Sequence, residues 1–189
     1  MKKLRLLVTV TNDLSYDQRM QRICASLVQA GYACTLIGRK RPSSKPLPSF
    51  DFQTRRLNCF FQKGKFFYLE YNFRLFLYLL FQPSDAIYSV DLDTILPGTL
   101  VGWLRKKKRI YDAHEYFTEV PEVVNRPMTQ KIWEKVADWA IPKSHLCFTV
   151  GEELGKVFSE RYKKPFGVIR NLPVSYDQTE LSSTKLEKF

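Results

Sequence analysis

The chain has 189 residues, enough for one sizeable core or one large domain with a tail, which excludes an array of several domains. Its 44% hydrophobic and 26% charged residues are an ordinary soluble globular balance, while the net charge of +11 favours anionic neighbours: nucleic acid, anionic lipid or phosphorylated ligands. Cys24, Cys34, Cys59 and Cys147 lie in apolar surroundings with no Cys-x-x-Cys pair, which excludes a readable zinc or redox motif and fits reduced core cysteines of a cytoplasmic protein.

The N-terminus "MKKLRLLVTV" is basic and then apolar, but Asn12 and Asp13 stop the run short of a signal segment, so Leu4 to Val10 reads as a buried first strand. Ser15 followed by Gln18 predicts a capping box opening a helix. Met20, Ile23, Cys24, Leu27 and Val28 give that helix one apolar face, and Gly31 closes it. Strand "ACTLIG" completes a βαβ unit, which crosses over right-handedly onto a parallel sheet.

After a Pro and Ser loop from Arg41 to Ser49, the rhythm repeats: a strand near Phe52 to Leu57, then an aromatic helix from about Phe66 to Phe81. The greasy stretch "FFYLEYNFRLFLYLLF" contains Glu70 and Arg74 and is shorter than a clean membrane span of about 20 residues. Its aromatics, interleaved with Lys63, Lys65 and Arg74, suit a helical core, with a membrane surface as the other reading. Strand "DAIYSV" leads to a helix carrying Leu92, Ile95, Leu96, Leu100, Trp103 and Leu104, and strand "KRIYDA" leads past His114 and Glu115 to a helix between about Met128 and Ile141. Strand "HLCFTV", a helix from Glu152 to Tyr162 and a short strand in "FGVIRN" follow, and the tail from Ser175 is polar without an apolar face. This alternation predicts an α/β fold, a Rossmann-like doubly wound and mainly parallel sheet with helices on both faces.

In such sheets ligands sit beyond the carboxyl ends of the strands. The candidates are therefore the residues after each strand: Asn12 and Asp13, Asp91 and Asp93, His114 and Glu115, Gly151 and Glu152, Arg170 and Asn171. For Asn12, Asp13 and Asp17, turn and cap bonds to nearby backbone stand beside ligand contact. Arg19 and Arg22 put cations in the first turns of a helix, where the dipole disfavours them and an anionic partner would offset it. Asp91 or Asp93 is expected to cap the next helix, and two carboxylates so spaced also suit sugar hydroxyls. His114, one of two histidines, is either a structural strand-end imidazole or a hydrogen-bond donor to an anion or sugar.

The segments "TNDLSYDQRMQRICASLVQAGYACTLIGR", "DLDTILPG", "YDAHEYFTEVPE", "IWEKVADWAIPK" and "VIRNLP" occur in this order and span nearly the whole chain. Together they resemble the N-terminal half of glycosyltransferase family 4, of GT-B architecture. The resemblance implies two Rossmann-like domains facing a cleft, retained anomeric configuration and no metal. It implies an N-terminal domain that holds the acceptor, and a C-terminal domain that grips the nucleotide-sugar and supplies a Glu-x7-Glu pair. His114 falls where the family places an active-site histidine near the donor sugar, and Asn12 and Asp13 fall in the first loop, beside the polar acceptor or the donor diphosphate. The sequence departs from the wider family in lacking the glycine pair of the first loop.

The expectation is an N-terminal glycosyltransferase domain over residues 1–174 and a linker or tail over 175–189, with the donor domain supplied in cis or in trans. Such a chain would bind a glycan or lipid-linked acceptor, use a nucleotide-sugar as donor substrate without another cofactor, and be inactive alone. It would work in the cytoplasm or at the inner face of the membrane, with nucleic acid not among its partners. The competing reading is a non-enzymatic basic module for an anionic membrane surface or nucleic acid. A nicotinamide dehydrogenase is excluded because no G-x-G-x-x-G follows the first strand, and a P-loop is absent too.

Overall fold

Leu6, Val8 and Val10 point to one side of the first strand and Leu7 to the other, and all are buried, so this strand needs helices on both faces. The rest of the chain supplies them. In a computed structural model, residues 3–171 are described, and they run β1 (Arg5–Asp13), α1 (Gln18–Gln29), β2 (Ala33–Lys40), β3 (Gln53–Asn58), α2 (Gly64–Phe81), β4 (Ala86–Val90), α3 (Leu92–Leu104) and β5 (Lys108–Ala113). Then come α4 (Pro121–Val124), α5 (Pro127–Ala140), β6 (Leu146–Thr149), α6 (Glu152–Tyr162) and β7 (Gly167–Val168), with 3-10 turns at Phe117–Glu119 and Ile141–Lys143. The strands form one seven-stranded sheet in the order β3-β2-β1-β4-β5-β6-β7, with every neighbouring pair parallel. The expected α/β Rossmann-like class holds. The domain boundary at 174, the tail from Ser175 and the last residues of "VIRNLP" lie outside the described residues.

Met20 and Cys24 of α1 close one face of the sheet over Leu6, Val8, Leu36 and Tyr88. Phe67, Tyr71, Leu75 and Leu79 of α2 close the other over Leu7, Ile37 and Ile87. A second core joins Tyr111, Ala113 and Cys147 to Ala137, Ala140, Phe158 and Tyr162 under the later helices. The four cysteines are free, and all but the half-buried Cys59 are buried, as their apolar settings predict.

Two local expectations are corrected. Helix α1 is capped by Asp17, whose Oδ1 accepts from the Met20 amide at 3.1 Å, and not by the Ser15 and Gln18 box. The reason is that β1 runs on to Asp13 and buries Leu14, which moves the helix start two residues along; Ser15 instead donates its amide to Asp13 at 3.1 Å and its hydroxyl to the Lys45 carbonyl at 3.2 Å. The aromatics before and within α2 are also only partly core. Phe67 and Tyr71 are buried, but Phe60, Phe61 and Phe66 are exposed, because α2 is apolar all round and rests on the sheet by one side only.

Close packing at the sheet's carboxyl end depends on three residues. A side chain at Gly38 of β2 would place its Cβ 2.6 Å from the Asn12 carbonyl and 2.4 Å from Leu14, so only glycine admits the extension of β1 beside it. Pro97 inside α3 has no amide to give the Asp93 carbonyl one turn back, and Asn72 of α2 supplies that donor at 2.9 Å. Replacing Asn72 with leucine keeps the volume and removes the donor. The Asn72→Leu protein is expected to lose about 1–3 kcal/mol in urea unfolding with an unchanged m-value. A loss below about 0.5 kcal/mol would mean that the Asp93 carbonyl has no need of Asn72.

Candidate functional site

The strand order reverses between β1 and β4, so the loops that follow these two strands leave in opposite directions and open a crevice between them. A cleft of about 580 Å³ occupies this point. Thr11 and Asn12 from the end of β1, and Asp91 and Asp93 from the end of β4, form its floor. His114 and Glu115, after β5, stand on one wall, and Arg39 near the end of β2, with Arg41 and Lys63 between β2 and α2, stands on the other. The cleft is therefore bipolar, with acids and an imidazole facing three cations.

His114 is fixed by its neighbours. Its amide donates to Asp91 Oδ1 at 2.8 Å, and its Nε2 lies 3.2 Å from Asp112 Oδ2. Its Nδ1 is 3.9 Å from Asp91 Oδ2, beyond hydrogen-bond reach, which leaves that nitrogen for a ligand. Asp112 is fully buried in β5, where Tyr88 donates to it at 2.8 Å and the Arg19 guanidinium approaches to 3.7 Å. Burial pulls the His114 imidazole down, but the Asp112 hydrogen bond and the negative charges of Asp91 and Asp112 outweigh it and raise its pKa above the usual 6.5.

Asp91 occupies the N-cap position of α3, yet its side chain does not cap. Its backbone sits at φ +55°, an unusual conformation for a residue other than glycine. That geometry lets its amide bond the Asp112 carbonyl at 2.9 Å while its carboxylate reaches the His114 amide. Asp93, in the first turn of α3, is hydrogen-bonded to the Thr11 hydroxyl. Burial, followed by the charge of Asp91, pushes the Asp93 carboxyl up to about 8, and burial pushes Asp91 up to about 6. Its environment thus favours the neutral carboxylic acid of Asp93 over the carboxylate at the cleft.

The cation wall is equally ordered. The Arg39 guanidinium stacks 4.5 Å from the Phe67 ring centroid and donates to the Gln62 carbonyl at 3.4 Å, while its buried Nε has no partner among the described residues. Arg41 and Lys63 are exposed at the rim.

A second concavity adjoins the first and shares Asn12 and Arg41 with it. Asp13, Asp17, Arg19 and Asn171 line it. Asp13 is spent locally, taking hydrogen bonds from Ser44 Oγ at 2.5 Å and the Ser15 amide at 3.1 Å. Arg19 donates to the Ile169 carbonyl at 3.2 Å and Arg22 to Asn171 Oδ1 at 2.7 Å, so α1 latches the segment after β7. Arg170 lies in a neighbouring groove with Arg19 and Asn171, and pairs with Glu152 at 2.7 Å on the surface. The structure thus gathers Asn12, Asp91, Asp93, His114 and Glu115 around one cleft, and sets Asp13, Asp17, Arg19, Arg170 and Asn171 apart from it. Gly151 and Glu152 do not line the cleft. Among the described residues no three His, Cys, Asp or Glu side chains are grouped to hold a metal ion.

Sequence reasoning missed Arg39, Lys63 and Asp112. Arg39 directly follows the strand "ACTLIG" as read from the sequence, so the rule applied to the other strand ends would have found it. Asp112 had a signal too, a lone acid inside the buried strand "KRIYDA".

The chain matches no protein-family model and no curated protein. Among solved structures, it is similar to a sucrose-phosphate synthase from Thermosynechococcus elongatus (16% identity, TM-score 0.59), with 96% of this chain and 53% of that one covered. It is also similar to the UGT2 of Phytolacca americana complexed with UDP-2-fluoro-glucose and pterostilbene (8% identity, TM-score 0.59, covering 96% and 56%). A putative UDP-N-acetylglucosamine 2-epimerase from Listeria monocytogenes aligns at 10% identity and TM-score 0.55, covering 97% and 51%. The chain spans about half the length of these proteins, and what it shares with them is the fold of one half of a GT-B architecture.

The raised Asp93 value has a measurable consequence for stability. The folded carboxyl holds its proton more tightly than the unfolded one, so the native state binds more protons between the ordinary 3.8 and about 8, and stability falls as pH rises through that window. One such group gives a slope of up to about 1.4 kcal/mol per pH unit. The Asp93→Asn protein is expected to lose this contribution and keep those of Asp91, which ends near its value of about 6, and of His114, whose raised pKa acts above 6.5. Chemical unfolding at several pH values decides the matter, and parallel stability curves for the two proteins would contradict it.

Proposed function

We propose that the chain is the acceptor-side, N-terminal half of a nucleotide-sugar-dependent glycosyltransferase similar to family 4, acting with a donor-binding domain in cis or in trans. The observation that carries this reading is the bipolar cleft at the strand-order reversal, with His114 held by Asp112 and Asp91 opposite Arg39, Arg41 and Lys63. A phosphorylated glycan or lipid-linked acceptor suits this lining, with its phosphate on the cations and its hydroxyls toward Asp91, Asp93 and Asn12.

In the transfer, the bond from the sugar's anomeric carbon to the donor phosphate breaks, and the diphosphate leaves with the electron pair. The acceptor hydroxyl forms the new bond on the same face, and its proton goes to the departing phosphate oxygen, which retains configuration without a metal. His114 Nδ1–H would hydrogen-bond the donor sugar or its departing oxygen, and the charge that Asp112 and Asp91 favour on the ring makes it a better donor as negative charge grows there. Asn12 and the protonated Asp93 would orient the acceptor.

The test is mass-spectrometric detection of sugar transfer by the chain together with its donor-binding domain, using a panel of nucleotide-sugars and phosphorylated acceptors. The expected product is the acceptor plus one sugar in the donor's anomeric configuration, with kcat lowered about 100-fold or more in His114→Ala at unchanged circular dichroism. An unchanged kcat in that variant would overturn the assignment of His114. Conversion of the nucleotide-sugar without any acceptor would overturn transfer in favour of epimerisation.

A further inference from the structure

Helix α2 is apolar on both sides. Phe67, Tyr71, Leu75 and Leu79 are buried against the sheet, and the opposite side bears Phe66, Leu69, Phe73, Leu77 and Phe81, all exposed. These five fall at spacings of three and four residues, one continuous stripe along 18 residues of helix, or about 27 Å. Trp103, 69% exposed, stands near the end of α3, and Arg105 after α3 donates to the Leu79 carbonyl at 3.1 Å and ties the ends of the two helices together. An apolar face of this extent on a soluble fold marks an interaction surface.

The charges around the stripe say what it meets. Lys63 and Lys65 stand exposed at its start, and Lys106 and Lys108 stand exposed beyond its end, within a basic run from Arg105 to Arg109. The acid within the stripe, Glu70, is neutralised by Arg74 at 2.8 Å and by accepting the amides of Phe60 and Phe61, both at 3.0 Å. Among the described residues no helix is long and apolar enough to cross a membrane, and Tyr71 fastens α2 to the Val10 carbonyl of β1. A helix pinned to the sheet on one side, greasy on the other and flanked by lysines has the chemistry of an interfacial helix.

We propose that α2 and the end of α3 form a docking surface for an anionic lipid bilayer, with the stripe buried at the headgroup boundary and the flanking lysines on lipid phosphates. Lys63 belongs to both this surface and the cleft's cation wall, so the docked chain opens its cleft at the level of the headgroups. This deepens the reading above, since a lipid-linked acceptor would reach Arg39 and Arg41 without leaving the bilayer. Docking itself requires no sugar transfer.

The test is flotation of the chain with phosphatidylcholine vesicles, with and without about 30% phosphatidylglycerol. The chain is expected to float with the anionic vesicles, to be released by salt, and to show a blue shift of tryptophan emission that is absent in Trp103→Phe. Leu69→Glu with Phe73→Glu should lower the partition coefficient at least tenfold, and Lys65→Ala with Lys106→Ala should lower it about fivefold per lysine. Failure of the chain to float, or equal flotation of the Leu69/Phe73 variant, would overturn the proposal. So would a wild-type dimer that ignores vesicles and dissociates on the Leu69/Phe73 change, which would assign the stripe to a second copy. Flotation without transfer, or transfer without flotation, separates the fate of this proposal from that of the proposed reaction.

Discussion

A carboxylate with no solvent exposure, placed in the interior of a parallel sheet, demands compensation. Asp112 is that group: Tyr88 from the neighbouring strand and His114 two residues further on both engage its Oδ2, while Oδ1 has no hydrogen bond among the described residues and faces the Arg19 guanidinium, from the first turn of α1, at 3.7 Å. Meeting this demand brings the ends of β4 and β5 and the start of α1 to one rim. It also fixes the His114 ring, with Nε2 engaged by Asp112 and Nδ1 3.9 Å from Asp91 Oδ2. Breaking such a buried set by removing one partner costs about 3–5 kcal/mol, so the arrangement that orients the imidazole also holds the sheet's carboxyl end together.

The first loop reaches the same end without glycines of its own. In a dinucleotide fold the loop after β1 turns tightly onto a phosphate, whereas here β1 continues through Thr11 and Asn12, with a register shift between Thr9 and Asp13. The glycine that such close approach requires sits on the adjacent strand, at Gly38, and the matching one on α3 is Gly98, where a Cβ would come 2.2 Å from Ser89 Oγ. Leu14 and the Asn12 carbonyl pack directly against Gly38. The open volume lies between the acids after β4 and the cations at and after the end of β2.

Period and order made the fold legible. Buried β-branched runs alternating with helical patterns gave the strand and helix sequence, and the parallel sheet follows from that order. Of the site, the residues directly after β1, β4 and β5 were legible because strand ends converge in such sheets, and Asn12, Asp91, Asp93 and His114 do converge. What composition could not reveal was depth. Asp13 and Arg170 have the same chemistry as their neighbours, but Asp13 is consumed by Ser44 and Ser15, and Arg170 by a surface acid. Conversely, Phe66 and Phe73 look like core by residue type, and only the packing of α2 by one side exposes them.

The two histidines make the central constraint directly measurable, since they report opposite environments. His145 accepts the Arg109 amide at 3.1 Å on Nδ1; burial and the cations Arg109, Lys108 and Lys164 lower its pKa. His114 lies against Asp112 and Asp91, which raise its own. A proton NMR titration of the imidazole signals, assigned with His145→Gln, is the most direct test. If Asp112 organises the cleft, His114 titrates above 6.5, His145 titrates below it, and Asp112→Asn moves His114 down while leaving His145 in place. A His114 that titrates at or below 6.5, or that ignores the Asp112 substitution, would contradict the account.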